Sequence, residues 1–242
     1  RKGLITASSV GAILGHSPNA TRADVMRRMV REAHGAEKEF NGNIATEYGT
    51  RNEDGALVEY RIETGHEVQA VGFIAREDWA GCSPDGLIGD IGGLEIKCPF
   101  GKRKDDVPQF KTLADQPHYL DQVQFSLWVT GREWWDFFQW SPRGTALERI
   151  EPDQQWRDTN LPILRQFHAE YLDAVKEPDD HLKPRRIVID TPEASKLLRE
   201  YDEMAEAEER AIARRKAIME ELATMAGQSN AEIVGRKLTL VT

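Results

Sequence analysis

Thiols are scarce in this chain: its 242 residues include two cysteines, Cys82 and Cys98. Two sulfurs cannot build a four-thiolate iron–sulfur cluster. They also lack zinc-type spacing and a nearby histidine, so nothing points to a zinc site. Reduced, packed thiols are expected in preference to a disulfide. Long apolar runs are missing as well. No stretch approaches the ~18–20 residues that a membrane helix needs, and the first residues do not read as a signal peptide. The expectation is a cytoplasmic protein with no membrane partner. Residue 1 is Arg, so the numbering is expected to begin inside a native chain. Internal repeats and low-complexity tracts are absent. Positive charge is in deficit: 32 Lys and Arg stand against 41 Asp and Glu, a formal net charge of −9. That argues against a surface coated for nucleic-acid binding. Local basic patches remain compatible with it, because affinity for phosphate follows where the cations sit.

What is present is an ordinary globular balance, 40% hydrophobic and 30% charged, in a length suited to one or two domains. Helices are expected over Thr6–Leu14, from Thr21 to a stop at Gly35, and from Asn43 to Gly65. In the third, Ile44, Tyr48, Leu57, Tyr60 and Ile62 are its apolar positions. Further helices should span His118–Thr130, closed by Gly131, and run from Asp153 to Lys176 with Pro162 as a kink. Strands are read over Glu67–Ile74, Trp79–Cys82, Gly86–Ile88, Leu94–Cys98, Trp134–Trp140, Ala146–Ile150 and Ile233–Val241. Thr191-Pro192-Glu193 opens a helix running to Met225, about 50 Å at ~1.5 Å per residue. Along it Leu197, Tyr201, Met204, Ala211, Ile218, Leu222 and Met225 recur at heptad spacing, interrupted by Glu208 and Arg215. A boundary near Pro178–Pro184 divides 1–180 from 181–242. The order specifies an α/β or α+β fold: a mixed central sheet flanked by helices, with a C-terminal helical extension.

The chemistry concentrates in Pro84-Asp85 and Gly93-Leu94-Glu95-Ile96-Lys97-Cys98-Pro99. Side chains two apart in a strand share a face. Glu95 and Lys97 therefore point one way and Ile96 into the core. A hairpin turning at Gly89–Gly93 can bring Asp85 beside Glu95. Two carboxylates and an ammonium at one point suit a hard divalent cation and an activated water. Asp85 would bridge two such ions, Glu95 would hold one, and the Ile96 carbonyl could complete its shell. Lys97 would orient or help deprotonate the water, and its pKa can fall in such a site. Lys102, Arg103, Lys104 and Lys111 form the clearest basic stretch and could meet the phosphates of a polyanion. Most of Trp134, Trp135, Phe137, Phe138 and Trp140 are expected in the core.

The Asp85…Glu95-Ile96-Lys97 pattern resembles the PD-(D/E)XK nuclease superfamily. With Leu4–Ser8, Cys82–Leu87, Gly93–Phe100 and Gln122–Thr130, the chain from Arg1 to about Trp140 is similar to one branch, the phage lambda exonuclease and YqaJ-like viral recombinase family. The resemblance implies a restriction-endonuclease-like fold and an Mg²⁺-dependent (Mn²⁺ substituting) 5′→3′ exonuclease acting on double-stranded DNA ends. It implies release of 5′-mononucleotides and a 3′ single strand for recombination with a single-strand annealing protein. A ring-shaped homotrimer belongs to the same implication. Glu53 and Gln122 match the family's additional acidic residue and active-site glutamine. Arg1 and Ser8 match its 5′-phosphate pocket, and Ser83 a position near the metals. Two alternatives stand beside this reading: a single-strand-specific nuclease of the same superfamily, and a non-catalytic DNA-end-binding scaffold. The resemblance does not reach the Thr191–Met225 helix.

Overall fold

The structure, a computed structural model, describes residues 1–36, 42–183, 191–226, 231–232 and 239–240. It divides into two compact units, Arg1–Lys183 and Pro184–Thr242. The first unit begins with β1 (Ile5–Thr6), α1 (Ala7–Ile13), α2 (Arg22–Ala33) and α3 (Ile44–Thr64). Short strands follow: β2 (Val68–Gln69), β3 (Ile74–Arg76), β4 (Ala80–Cys82), β5 (Gly86–Ile88) and β6 (Gly92–Lys97). A 3-10 turn at Phe100–Lys102 leads to α4 (Pro117–Thr130), β7 (Trp134–Ser141), β8 (Gly144–Ile150), α5 (Gln154–Lys176) and α6 (Asp179–Leu182).

Helix starts follow local chemistry. Thr21 and Asp24 form a reciprocal capping box on α2, and Asn43 and Thr46 form one on α3. Each pair satisfies backbone donors that the first turn leaves open. Asp153 accepts from the Trp156 N–H at the start of α5. Gly65 and Gly131 end α3 and α4 in the left-handed conformation that glycine takes without strain. Helix α5 runs through Pro162 without a break in its assignment.

The central sheet has the order β2-β5-β6-β7-β8. Its middle pair, β6 with β7, is parallel, and α4 makes the crossover between them. The neighbours on either side are antiparallel. Helix α3 covers one face, where Ala56 and Tyr60 pack on Leu94, Ile96 and Phe138. Helix α4 covers the other, where Val123 and Leu127 pack on Leu87, Trp135 and Phe137. A second sheet, β1-β4-β3, belongs with α1, α2, α5 and the outer side of α4 to a third apolar cluster. The aromatic strand is core as expected, with Trp135, Phe137 and Phe138 fully buried.

Several expectations change. The Glu67–Ile74 strand is two short strands in different sheets. Ile44 and Ile62 are 68% and 80% exposed, because α3 turns only Ala56 and Tyr60 fully inward. The hairpin turn is shorter than Gly89–Gly93: Gly92 and Gly93 lie in β6. Their hydrogens make room for indoles, since a Cβ there would sit 2.3 Å from Trp134 and 2.2 Å from Trp135.

In the second unit, α7 (Pro192–Ala226) starts as read, with Thr191 Oγ1 accepting from the Ala194 N–H at 3.1 Å. Beyond it, β9 (Ala231–Glu232) pairs antiparallel with β10 (Thr239–Leu240). The single strand expected over Ile233–Val241 is thus a pair, and its remaining residues lie outside the described ones.

Candidate active site

The hairpin register builds the site. Gly86 pairs with Leu94, Leu87 with Gly93 and Ile88 with Gly92, so the next rung places Asp85 opposite Glu95. The Asp85 N–H still donates to the Leu94 carbonyl at 3.2 Å. In return, Asp85 Oδ2 accepts from the Ile96 N–H at 2.6 Å. The carboxylate thus takes the place of a strand partner and is fixed by the backbone it faces. In an extended strand the carbonyl of a residue points to the same edge as its N–H, so the Ile96 carbonyl looks toward Asp85.

Glu95 lies on the α4 face of β6 and is 4% exposed. Its Oε1 accepts two short hydrogen bonds, from Lys97 Nζ at 2.5 Å and from Gln122 Nε2 at 2.5 Å. The Gln122 carbonyl accepts from Ser126 Oγ one turn on. Gln124 points elsewhere, bonding the Glu151 carbonyl and the Asp153 N–H. Lys97 also lies 5.0 Å from the centre of the Tyr119 ring, which packs on Phe137. Tyr119 and its neighbour His118 were not among the sequence candidates. Only the docking of α4 onto β6 and β7 puts them there, and no local motif marks them.

Electrostatically the cluster has more negative charge than its lysine offsets at Asp85. Burial and the Glu95 charge push the Asp85 carboxyl up to about 7, against the opposing pull of Lys97 and the Ile96 N–H. At Lys97 burial works to lower the pKa, but Glu95 and Asp85 overcome it and hold the ammonium above the ordinary lysine range. The expected fall in the Lys97 pKa is therefore reversed: two carboxylates outweigh desolvation. His118 is depressed by burial and by the Lys97 charge. Cys82 and Cys98 are free and buried, each thiol pushed up to about 12 chiefly by burial. Neither has the lowered pKa that marks a reactive thiol, and both serve as packing groups.

Metal fit follows from the donor set. Among the described residues no group of three or more His, Cys, Asp or Glu is arranged to hold a metal. Asp85 and Glu95 nevertheless converge, and no hydrogen bond among the described residues engages Asp85 Oδ1 or Glu95 Oε2. Two carboxylates and one carbonyl, completed by water or substrate oxygens, match the preference of Mg²⁺ for oxygen donors and retained waters. A nitrogen and sulfur set for zinc is not offered. Glu53 approaches the cluster from α3. It is exposed on α3, and its negative charge acts to raise the pKa of both Asp85 and Cys98.

The N-terminal segment reaches the same region. Arg1 Nη2 donates to Ser83 Oγ at 2.6 Å, two residues before Asp85, and the guanidinium lies 5.5 Å from the Phe73 ring centre. Ser8 is exposed beside Thr6, their hydroxyl oxygens 3.3 Å apart. Thr6 Oγ1 also meets Ser9 Oγ at 2.8 Å, and Ser9 receives Arg28 Nη2 at 2.6 Å. Arg1 and Ser8 are not hydrogen-bonded to one another among the described residues. Arg28, absent from the sequence candidates, joins the hydroxyl group from α2. In the basic stretch, Lys102 pairs with Asp105 at 3.1 Å. Arg103 turns back onto the Phe100 carbonyl and ring. Lys104 and Lys111 are exposed.

Known proteins share the fold of this chain. An alkaline exonuclease from Laribacter hongkongensis superposes with a TM-score of 0.60 at 30% identity, covering 74% of this chain and 93% of that one. The same enzyme in complex with dAMP gives a TM-score of 0.61 at 30% identity, with 74% and 93% covered. A phage-related exonuclease from Haemophilus somnus 129PT, 15% identical, shares the fold at a TM-score of 0.59 over 72% of this chain and 96% of that one. No curated protein matches the chain significantly. The model of the YqaJ-like viral recombinase domain matches residues 1–133, which contain the hairpin, α4 and the Arg1–Ser83 contact. With that match and those relatives, the chain belongs to the YqaJ-like viral recombinase domain family.

Proposed function

We propose that this chain is an Mg²⁺-dependent 5′→3′ exonuclease that enters duplex DNA at its ends, releases 5′-mononucleotides and leaves a 3′ single strand for recombination by annealing. The observation that carries the reading is the meeting of Asp85, Glu95, Lys97 and Gln122 at one point of the sheet. A divalent cation held by Asp85, Glu95 and the Ile96 carbonyl would polarise the phosphoryl oxygen and lower the pKa of a bound water. A second ion would draw on Asp85 and on substrate oxygens.

The chain's own groups divide the remaining work. Gln122 and Lys97 fix the Glu95 carboxylate in one orientation, so no reorganisation is needed when substrate arrives. The Lys97 ammonium, held charged, offsets negative charge growing on the phosphate in the transition state. It is better suited to orient the water than to remove its proton. Arg1, Ser8 and the hydroxyls around Thr6 offer donors to a 5′-phosphate, which would set the polarity of digestion. Lys104 and Lys111 are free to meet the backbone further along. A relative bound to dAMP supports a mononucleotide product. By family resemblance the working form is a homotrimeric ring that threads DNA. Basic residues then need only line the channel, which reconciles DNA binding with a net charge of −9.

The test is digestion of blunt, 5′-phosphorylated duplex with Mg²⁺, followed by product analysis and native mass. Mononucleotides from the 5′ strand are expected, with activity lost in Glu95→Ala and Lys97→Ala. Full activity in both variants would remove the assignment. Faster attack on single-stranded than on duplex substrate would point to the single-strand alternative.

A further inference from the structure

Helix α7 carries an apolar stripe that leaves Leu197, Tyr201, Met204 and Met225 at 65%, 70%, 67% and 82% exposure. Isolated helices draw little stability from propensity alone, and a 35-residue helix with such a stripe needs a packing partner. Its far side is conventional surface, with Arg210 paired to Glu206 along the helix. The stripe is a heptad seam. Tyr201, Glu208, Arg215 and Leu222 occupy one core position of the repeat, and Leu197, Met204, Ala211, Ile218 and Met225 the other. One flank, Leu198, Ala205, Ile212 and Met219, is apolar too, while the opposite flank carries Glu200, Arg214 and Glu221.

We propose that α7 pairs with α7 of a second copy of this chain, running antiparallel. The seam charges choose the direction. In a parallel pair Glu208 faces Glu208 and Arg215 faces Arg215, like charges in a desolvated seam. The apolar flank would also lie against the charged one. Running antiparallel, one register places Leu197 opposite Leu222, Tyr201 opposite Ile218, Met204 opposite Arg215 and Glu208 opposite Ala211. Small Ala211 leaves room beside Glu208. Arg215 of the second helix stands one layer away on one side, about 6 Å along the axis, and Glu208 of the second helix one layer away on the other, about 4.5 Å at ~1.5 Å per residue, so each carboxylate has an opposite charge beside it and no longer faces its own copy in the same layer. The same register brings each apolar flank against its own kind. The two residues that interrupt the seam thus become the pair that sets its direction. A two-fold contact of this sort doubles whatever assembly the nuclease unit forms, so it stands apart from the reading of the active site.

The full chain should be sized by light scattering and native mass as wild type, Glu208→Arg, Arg215→Glu and the double exchange, with circular dichroism confirming the helix. Each single variant is expected to have half the wild-type mass, since it sets like charges together in the antiparallel seam. The double exchange, and an equimolar mixture of the two single variants, should regain the full mass. Retention of the wild-type mass by both single variants overturns the proposal. So does a failure of both the double exchange and the mixture to regain it.

Discussion

At the scale of single residues, Gln122 and Asp85 make separable predictions. Among the described residues the Gln122 side chain donates to Glu95 Oε1, so Gln122→Ala should leave the fold intact and free one carboxylate oxygen to rotate. Metal affinity or the cleavage rate is expected to fall about 10–100-fold, the usual effect of losing a group that orients a ligand. Mg²⁺ titration of the cleavage rate checks this, and an unchanged titration would exclude the positioning role. Asp85 acts on stability as well. Its carboxyl is raised to about 7 from an ordinary value of 3.8. Between those values the folded state holds a proton that the unfolded chain has released, so this residue's contribution to stability falls as pH rises through the window. In chelator, Asp85→Asn should melt a few degrees above wild type at pH 8, and the gain should shrink at pH 5. A melting difference independent of pH would contradict the raised carboxyl. The acidic half of the site was legible from the strand alternation of Glu95, Ile96 and Lys97. Gln122 came from family resemblance, and Tyr119 from neither, because its contact with Lys97 depends on how α4 docks.

Among the elements, the hairpin depends on what lies beside its glycines. Gly93 has Trp135 against it, and an added Cβ would come within 2.2 Å of the ring. Gly93→Ala should therefore cost roughly 1–3 kcal/mol through overpacking and reduce activity by displacing β6. Gly49, inside α3 with nothing near its Cβ position, should respond in the opposite sense. Gly49→Ala is expected to stabilise by about 0.4–1 kcal/mol. Urea unfolding of the two variants checks both signs. These glycines also show where local reading stops. Gly92 and Gly93 carry the composition of a turn, and only the indoles of a strand some forty residues later make them strand residues. Ile44 and Ile62 fail in the converse way. They keep helical spacing in α3, yet the stripe that meets the sheet passes through Tyr60 and the small Ala56, and a pattern built on large side chains misses the second. The caps of α2, α3 and α5, in contrast, were readable, because Thr21, Asn43 and Asp153 act within three residues of themselves.

For the whole molecule, stability rests on three apolar clusters. Exposed ion pairs such as Arg143–Asp106 and Lys176–Asp173 add about 0–1 kcal/mol each and are screened by salt. Raising NaCl from about 0.1 to 1 M should therefore move the melting temperature little. Leu164→Ala, at a fully buried position of the cluster around α1, α2 and α5, should cost about 2–5 kcal/mol. Because that cluster is distinct from those packed on the two faces of β6, duplex cleavage measured well below the melting temperature should stay near wild type. A large loss of cleavage by the folded variant would mean that the clusters communicate.

The hydrogen bond from the Ile96 N–H to Asp85 has a meaning for a cell that must tolerate a DNA-degrading protein while it is being made. Strand register and active site are one and the same arrangement here. A hairpin mispaired by one residue would turn Ile96 toward α4 and bury Glu95 on the other face, leaving no carboxylate pair to assemble. Copies mispaired in this way would then be silent toward the genome, so that a check on the proposed hydrolytic activity is written into the pairing of two strands.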